Sequence, residues 1–254
     1  MSQSIELVPV IVLAGGIAKP EDQLVMGIPH RALMIVNGMT MLEHIIQAVK
    51  ACPFAGPITV IGNMPPSPDY TCLPDQGSLV ENVFAGVKAC GNASHALIAT
   101  SDIPFITEEV VSDFLSKGRM LEADLVYPIV HVERCYQKYP GLKRTAIKLK
   151  DGQFTGGNLM LVSSEFIRTN RVLIAQTYAA RKSPLRLAMM MGPLTLLRLL
   201  IAITIWPGAL SITQLETAAG RMLNGTAKGL ISDYPEIATD IDRPEELKTI
   251  VAIH

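Results

Sequence analysis

The chain has 254 residues, of which 49% are hydrophobic, enough to bury a substantial core as one large α/β domain or two small ones, and a single domain over 1–254 is the simplest account. Its 22 basic and 23 acidic residues give a formal net charge of −1, and no concentrated Lys/Arg run occurs, which argues against a nucleic-acid groove and fits a small anionic ligand. Cys52, Cys72, Cys90 and Cys135 form no CxxC pair and the five histidines are scattered, so neither a zinc site nor a disulfide framework is indicated, and reduced thiols fit a cytoplasmic protein.

The first predicted strand is Val8 to Leu13, and no Lys or Arg precedes it, so a secretory signal lacks its basic region. It empties into Ala14-Gly15-Gly16. Backbone amides exposed after a buried strand form a seat for phosphates, although a glycine pair there also makes an ordinary tight turn. The third glycine of a dinucleotide fingerprint is missing, and so is a Gly-Lys-Ser/Thr ending. Lys19 and Arg31 flank Pro20 to His30, which reads as a loop over the glycine turn. Arg31 offers a planar fork for phosphate, whereas Lys19 reads either as a second phosphate cation or as a solvated loop charge.

Asn37-Gly38 predicts a turn before a helix over 40–51, followed by a strand over 57–62 and a Pro65-Pro66-Ser67-Pro68 loop. Gly77-Ser78 opens a helix over 78–90, and a strand over 95–100 runs into Ser101-Asp102-Ile103-Pro104. This alternation is the signature of βαβ units and a parallel sheet. Beyond it come a helix over 107–117, a strand over 123–130, and a hairpin of 145–149 against residue 153 onwards across Asp151-Gly152. Residues 158–162 extend that sheet, helices fill 164–223, and a strand over 227–232 leads to Asp240-Ile241-Asp242-Arg243-Pro244-Glu245-Glu246-Leu247. In the apolar stretch Leu187 to Leu210, Gly192-Pro193 leaves only Leu194 to Trp206, thirteen residues against the roughly 20 a bilayer needs. It reads as a buried or subunit-interface helix, with a homodimer among the expectations and no membrane span.

Ligands of an open parallel sheet bind beyond the carboxyl ends of its strands. Asp102 stands at such an end, where it either caps a turn or presents a hard oxygen ligand suited to Mg²⁺. Asp240 and Asp242 form a second acidic element, of which one, Asp242 in preference to Asp240, is expected to complete the metal site, and Asp242-Arg243-Pro244-Glu245 also reads as a helix start with Pro in its first position. Near the hairpin, Lys143, Arg144 and Lys148 cluster, and Gly156-Gly157-Asn158 enters the next strand. The glycines either allow a bulge or leave room for a second substrate, with Asn158 bonding it and the cations holding its anionic group.

Leu13-Ala14-Gly15-Gly16, the cation at Arg31 before Asn37-Gly38-Met39-Thr40-Met41-Leu42, Ser101-Asp102-Ile103-Pro104 and the closing Asp240-to-Leu247 segment, in this order, resemble the MobA-like nucleotidyltransferase family. That family includes molybdenum cofactor guanylyl- and cytidylyltransferases, adenosylcobinamide-phosphate guanylyltransferase and methylerythritol-phosphate cytidylyltransferase. The resemblance implies an α/β fold, GT-A-like and Rossmann-related, a three-layer sandwich with a mainly parallel sheet. Its nucleotide-binding half would be about 1–105 and its acceptor-binding half about 106–254, with a helical insertion over 164–223. It further implies a nucleoside triphosphate with Mg²⁺, an acceptor phosphate that attacks the α-phosphorus, and release of pyrophosphate. Leu13, Ala14, Gly15 and Gly16 would contact the nucleotide, Gly77, Ser78 and Asn82 would frame its base or ribose, and Asp102 with Asp242 would hold the metal. The family loop carries Arg-Met-Gly and then a lysine; here the loop is longer, Arg31 stands at the lysine position and Lys19 shares its work. A sugar-transferring GT-A enzyme is the nearest rival, but Asp102-Ile103-Pro104 lacks that group's usual second aspartate. A nucleotide-binding regulatory protein without turnover is the other.

Overall fold

Alternation along β1 (Val8–Leu13) sets the architecture: Val10 and Val12 enter the core on one face of the sheet, and Ile11 with Leu13 packs on the other. A strand apolar on both sides needs helices on both sides. The computed structural model describes residues 6–17, 20, 23, 27, 30–180 and 183–251. After β1, the short strands β2 (Ile35–Val36) and β3 (Met39–Thr40) turn on Asn37-Gly38, both at positive φ as a two-residue hairpin requires. Helix α1 (Met41–Ala51) begins in a capping box: the Thr40 hydroxyl accepts from Glu43 N at 3.1 Å, and the Glu43 carboxylate accepts from Thr40 N at 2.6 Å.

The chain continues through β4 (Ala55–Ile61), β5 (Thr71–Leu73), α2 (Leu79–Ala89), β6 (His95–Thr100), α3 (Glu108–Arg119), β7 (Leu125–His131) and α4 (Val132–Lys138). The hairpin β8 (Ile147–Leu149) and β9 (Gly152–Gly156) follows, then β10 (Leu159–Ser163). Five helices come next: α5 (Ser164–Thr169), α6 (Arg171–Ala180), α7 (Pro184–Met190), α8 (Pro193–Thr204) and α9 (Ile212–Leu223). Strand β11 (Ala227–Ser232) and helix α10 (Pro244–Val251) close the chain.

Nine strands form the main sheet in the order β5-β4-β1-β6-β10-β7-β9-β8, with β11 beside β7. Only β9 and β10 run against the rest, so the sheet is mainly parallel. Leu42, Ile45 and Val49 of α1, with Val111, Phe114 and Leu115 of α3, cover the Val10/Val12 face. Val83 and Val87 of α2, Phe166 and Ile167 of α5 and Leu223 of α9 cover the face that holds Ile11. This is a three-layer α/β sandwich. Four elements were not foreseen: β2 and β3, which pair across the expected Asn37-Gly38 turn, β5, a three-residue edge strand, and α4, which follows directly from β7.

Helix α8 buries Thr195, Leu199 and Ala202, the latter two in a cluster with Leu149 and Phe154, but leaves Leu194, Leu197, Leu200 and Ile203 exposed. The expectation of a buried or interface helix over 194–206 is therefore met on one face only. No helix among the described residues is long and apolar enough to cross a membrane.

Candidate active site

The carboxyl ends of β1 and β6 and the amino end of α2 meet in a cleft of about 300 Å³. Leu13, Gly15, Gly16, Arg31, Gly77, Ser78, Asn82 and Asp102 all line it, so residues from distant parts of the sequence share one wall. Ser101 N donates to Leu13 O at 3.2 Å and Ala14 N to Ile61 O at 2.8 Å, which ties the three strand ends together. Ala14 itself is fully buried beneath the turn.

The glycine pair is explained by space. Neither Gly15 nor Gly16 has a positive φ. A Cβ on Gly15 would sit 3.0 Å from Asp75 Oδ1 and 3.1 Å from Asn82 Nδ2, and one on Gly16 would sit 3.1 Å from Arg31 Nη2. Side chains of three other segments thus close on bare backbone. Gly77 differs, because it does take a positive φ, of 84°, directly before the cap of α2. The Ser78 hydroxyl accepts from Glu81 N at 3.2 Å, and the positive end of the α2 dipole faces the cleft. Asn82 is 4% exposed: its amide donates to Asp75 Oδ1 at 2.8 Å and accepts from Gln76 N at 2.7 Å, which fixes the 74–77 loop as the rim.

Arg31 opens a 3₁₀ turn, Arg31–Leu33. Its backbone N donates to Gly16 O at 3.2 Å, and Ile17 bridges His30, so the two ends of the long intervening loop are pinched together. This neck delivers the guanidinium to the cleft. It makes a close ion pair with Asp242 Oδ1 and reaches Asp102 Oδ2 at 3.8 Å. Asp242 arrives from the other end of the chain because Ile241 N donates to Asp102 O at 2.8 Å, docking the 240–242 segment on the end of β6. The Glu246 carboxylate then accepts from Asp242 N at 2.7 Å at the start of α10.

Electrostatically the site is short of positive charge. Burial pushes the Asp102 carboxyl up, the neighbouring Thr100 side chain and Arg31 oppose that rise, and the nearby Asp240 and Asp242 add to it. Asp240 is also raised, first by its own burial and then by Asp242. Asp102 Oδ1 is buried with no hydrogen-bond partner. An orphaned carboxylate oxygen beside a second carboxylate fits a divalent cation, which both would hold. No group of three or more His, Cys, Asp or Glu among the described residues could bind a metal unaided. Two carboxylates of this kind would share such a cation with water and substrate phosphate.

The residues expected to hold an acceptor are placed differently from one another. Arg144 is buried and committed: it donates to Ala238 O and, at 2.8 Å, to Thr239 Oγ1, and lies 3.8 Å from Asp240. It positions the acidic segment and does not stand free to meet an anion. Lys143 is exposed. Gly156 and Gly157 mark the break between β9 and β10, where a Cβ would lie 2.5 Å from Tyr127 Oη or 2.9 Å from Pro128 Cγ. They permit close packing and leave no open room at the backbone. Asn158 N donates to Ile237 O at 2.7 Å, holding the segment that precedes Asp240. Lys19 lies outside the described residues.

Asp75 and Tyr178 are among the lining residues that escaped the sequence reading. Asp75 sits in a Pro74-Asp75-Gln76-Gly77 stretch that reads as an ordinary turn, and its side chain supports both Gly15 and Asn82. Tyr178 comes from α6, in the helical segment otherwise remote in sequence.

A family model described as the MobA-like NTP transferase domain matches residues 10–199. Among solved structures, the chain is similar to a hypothetical transferase from Thermus thermophilus, 36% identical, TM-score 0.83, covering 95% of this chain and 99% of that one. It shares its fold with 2-C-methyl-D-erythritol 4-phosphate cytidylyltransferase, also from Thermus thermophilus, 15% identical, TM-score 0.54, covering 97% and 98%. The same holds for CMP:2-keto-3-deoxy-manno-octonic acid synthetase complexed with CTP, 10% identical, TM-score 0.54, covering 98% of each chain. No curated protein matches the chain.

Proposed function

The chain belongs to the MobA-like NTP transferase domain family, whose members are nucleotidyltransferases, and we propose that it works in the cytoplasm as a Mg²⁺-dependent enzyme that moves a nucleoside monophosphate onto a phosphorylated small molecule. An acceptor phosphate oxygen attacks the α-phosphorus of the triphosphate. A bond forms from that oxygen to the α-phosphorus, the bond to the bridging β-oxygen breaks, and the electron pair leaves with pyrophosphate. Bound Mg²⁺ would neutralise charge developing on the phosphates.

The chain's own residues supply position and charge, which this chemistry needs more than a covalent nucleophile. Gly15 and Gly16 let the triphosphate lie against backbone amides, and Gly77, Ser78 and Asn82 frame the nucleoside at the amino end of α2. Asp102 and Asp242 would hold the metal, and Arg31, which pairs with both, would be freed to meet phosphate oxygens. Lys143 is exposed to meet the acceptor's anionic group, and Arg144 holds Asp240 in place.

One observation carries this reading: Asp102 Oδ1 is buried and partnerless at the glycine turn, on a carboxylate that Arg31 links to Asp242. The experiment is incubation with each of the four nucleoside triphosphates, Mg²⁺ and a panel of phosphorylated metabolites, following pyrophosphate. Release that needs both triphosphate and acceptor is expected. Nucleotide binding without pyrophosphate from any pair would leave the regulatory alternative standing.

A further inference from the structure

Charge is unevenly distributed along this chain. Between Glu165 and Glu216 there is no carboxylate side chain at all, while Arg168, Arg171, Arg181, Lys182, Arg186 and Arg198 fall inside, in a protein of net charge −1. Two of these cations are committed locally: Arg171 pairs with Glu81 and lies over the Phe84 ring, and Arg168 donates to Gly91 O. Arg186 is exposed on α7 and Arg198 half-buried on α8.

The same stretch exposes large apolar side chains. Leu194, Leu197, Leu200 and Ile203 follow one another at intervals of three on α8, so neighbours touch along its outer surface. Met189 of α7 and Trp206, just beyond α8, are exposed as well, at 63% and 62%. Trp206 is the only tryptophan of the chain. The opposite side of α8 is anchored through Leu199 and Ala202 against β8 and β9, so the exposed face belongs to a docked helix.

We propose that the α7–α8 face docks on the surface of an anionic lipid bilayer. An apolar strip rimmed by cations, with an aromatic at its end and no acid in its own stretch of sequence, is the complement of anionic headgroups over acyl chains. At about 1.5 Å per residue the twelve residues of α8 extend roughly 18 Å, so the helix lies in the interface and does not cross it. A two-fold contact between copies would set this acid-free cationic segment against itself, which favours lipid over a second copy. Tyr178, which lines the cleft, precedes α7 by six residues, so the docked face is a short connection from the site.

The test is flotation of the full chain with vesicles of phosphatidylcholine alone or mixed with phosphatidylglycerol, at low and high salt, with Trp206 emission as an internal reporter. Binding to the phosphatidylglycerol vesicles, with a blue shift and loss at high salt, is the expected result. A cation near such a surface contributes roughly fivefold to binding, so R186E/R198E should weaken it at least about 25-fold. L197E/I203E changes exposed positions only, and should remove the blue shift while the thermal midpoint stays at the wild-type value. Failure to float with anionic vesicles, equal binding to neutral ones, or unchanged binding by both variants would overturn the proposal. So would a concentration-dependent dimer in sedimentation that L197E/I203E dissolves, in a protein that ignores vesicles.

Discussion

Replacing Asp102 by Asn separates catalysis from folding at a single atom. The side chain keeps its size at the end of β6, but the orphaned Oδ1 loses its charge and, on the proposed reading, its metal. Loss of one metal-bearing carboxylate removes several kcal/mol of charge stabilisation in the transition state. At 1.36 kcal/mol per factor of ten, a loss of about 4 kcal/mol slows turnover roughly a thousandfold. Stability moves the other way. Burial raises the folded carboxyl above its ordinary value of 3.8, so what Asp102 contributes to folding is present below that value and is lost as pH rises through the folded one. In metal-free protein at pH 7 the charged carboxylate therefore costs stability that Asn does not. Thermal scans of both proteins from pH 3.5 to 7 should coincide at the acid end and place Asp102→Asn at or above wild type at neutral pH, while pyrophosphate release falls to near background. Retained turnover, or a midpoint lowered by more than about 4 °C, equivalent to 1 kcal/mol or more for a chain of this size, would refute the reasoning.

Arg31→Met should lower kcat/KM by roughly a hundredfold or more, as loss of one transition-state donor does, and Arg31→Lys should recover to within about tenfold of wild type because it keeps the charge but not the fork. Asn82→Ala cuts the bonds to Asp75 and Gln76, and at about 1 kcal/mol per bond this should raise the KM for nucleotide about tenfold or more with a smaller change in kcat. Gly86→Ala would place a Cβ 2.5 Å from Ile11 Cγ2 between α2 and β1. That overpacking should cost about 1–3 kcal/mol, a fall of roughly 3–9 °C in the thermal midpoint, with kcat unchanged once folded.

The parallel half of the fold was legible because its signals are local. Val8 to Leu13 is apolar on both faces, Thr40, Ser78 and Thr107 cap their helices, and Asn37-Gly38 turns β2 into β3. The order of the glycine pair, Asp102 and Asp242 was legible as a motif, but its cause was not. Asp242 reaches Asp102 through one backbone bond from Ile241, a contact between distant segments that no periodicity encodes. Arg144 shows the converse. Beside Lys143 and ahead of a hairpin it reads as a cation for the acceptor's anionic group, yet the fold of Pro235–Ala238 over the β9–β10 break buries it against Thr239 and Asp240. Asp75 escaped because a carboxylate in a Pro- and Gly-flanked turn has an ordinary local explanation, and Tyr178 because α6 joins the cleft only through tertiary packing. Helix α8 carried a continuous apolar signal that did not say which face is covered.

The central claim is that this cleft transfers a nucleoside monophosphate, and label at the α-phosphorus tests it most directly. With a triphosphate labelled there, Mg²⁺ and a phosphorylated acceptor, label should enter the acceptor in one-to-one ratio with pyrophosphate, and chelation of the metal should stop both. Label that stays in the triphosphate across every base and acceptor, or leaves as free mono- or diphosphate with no capped product, would contradict it.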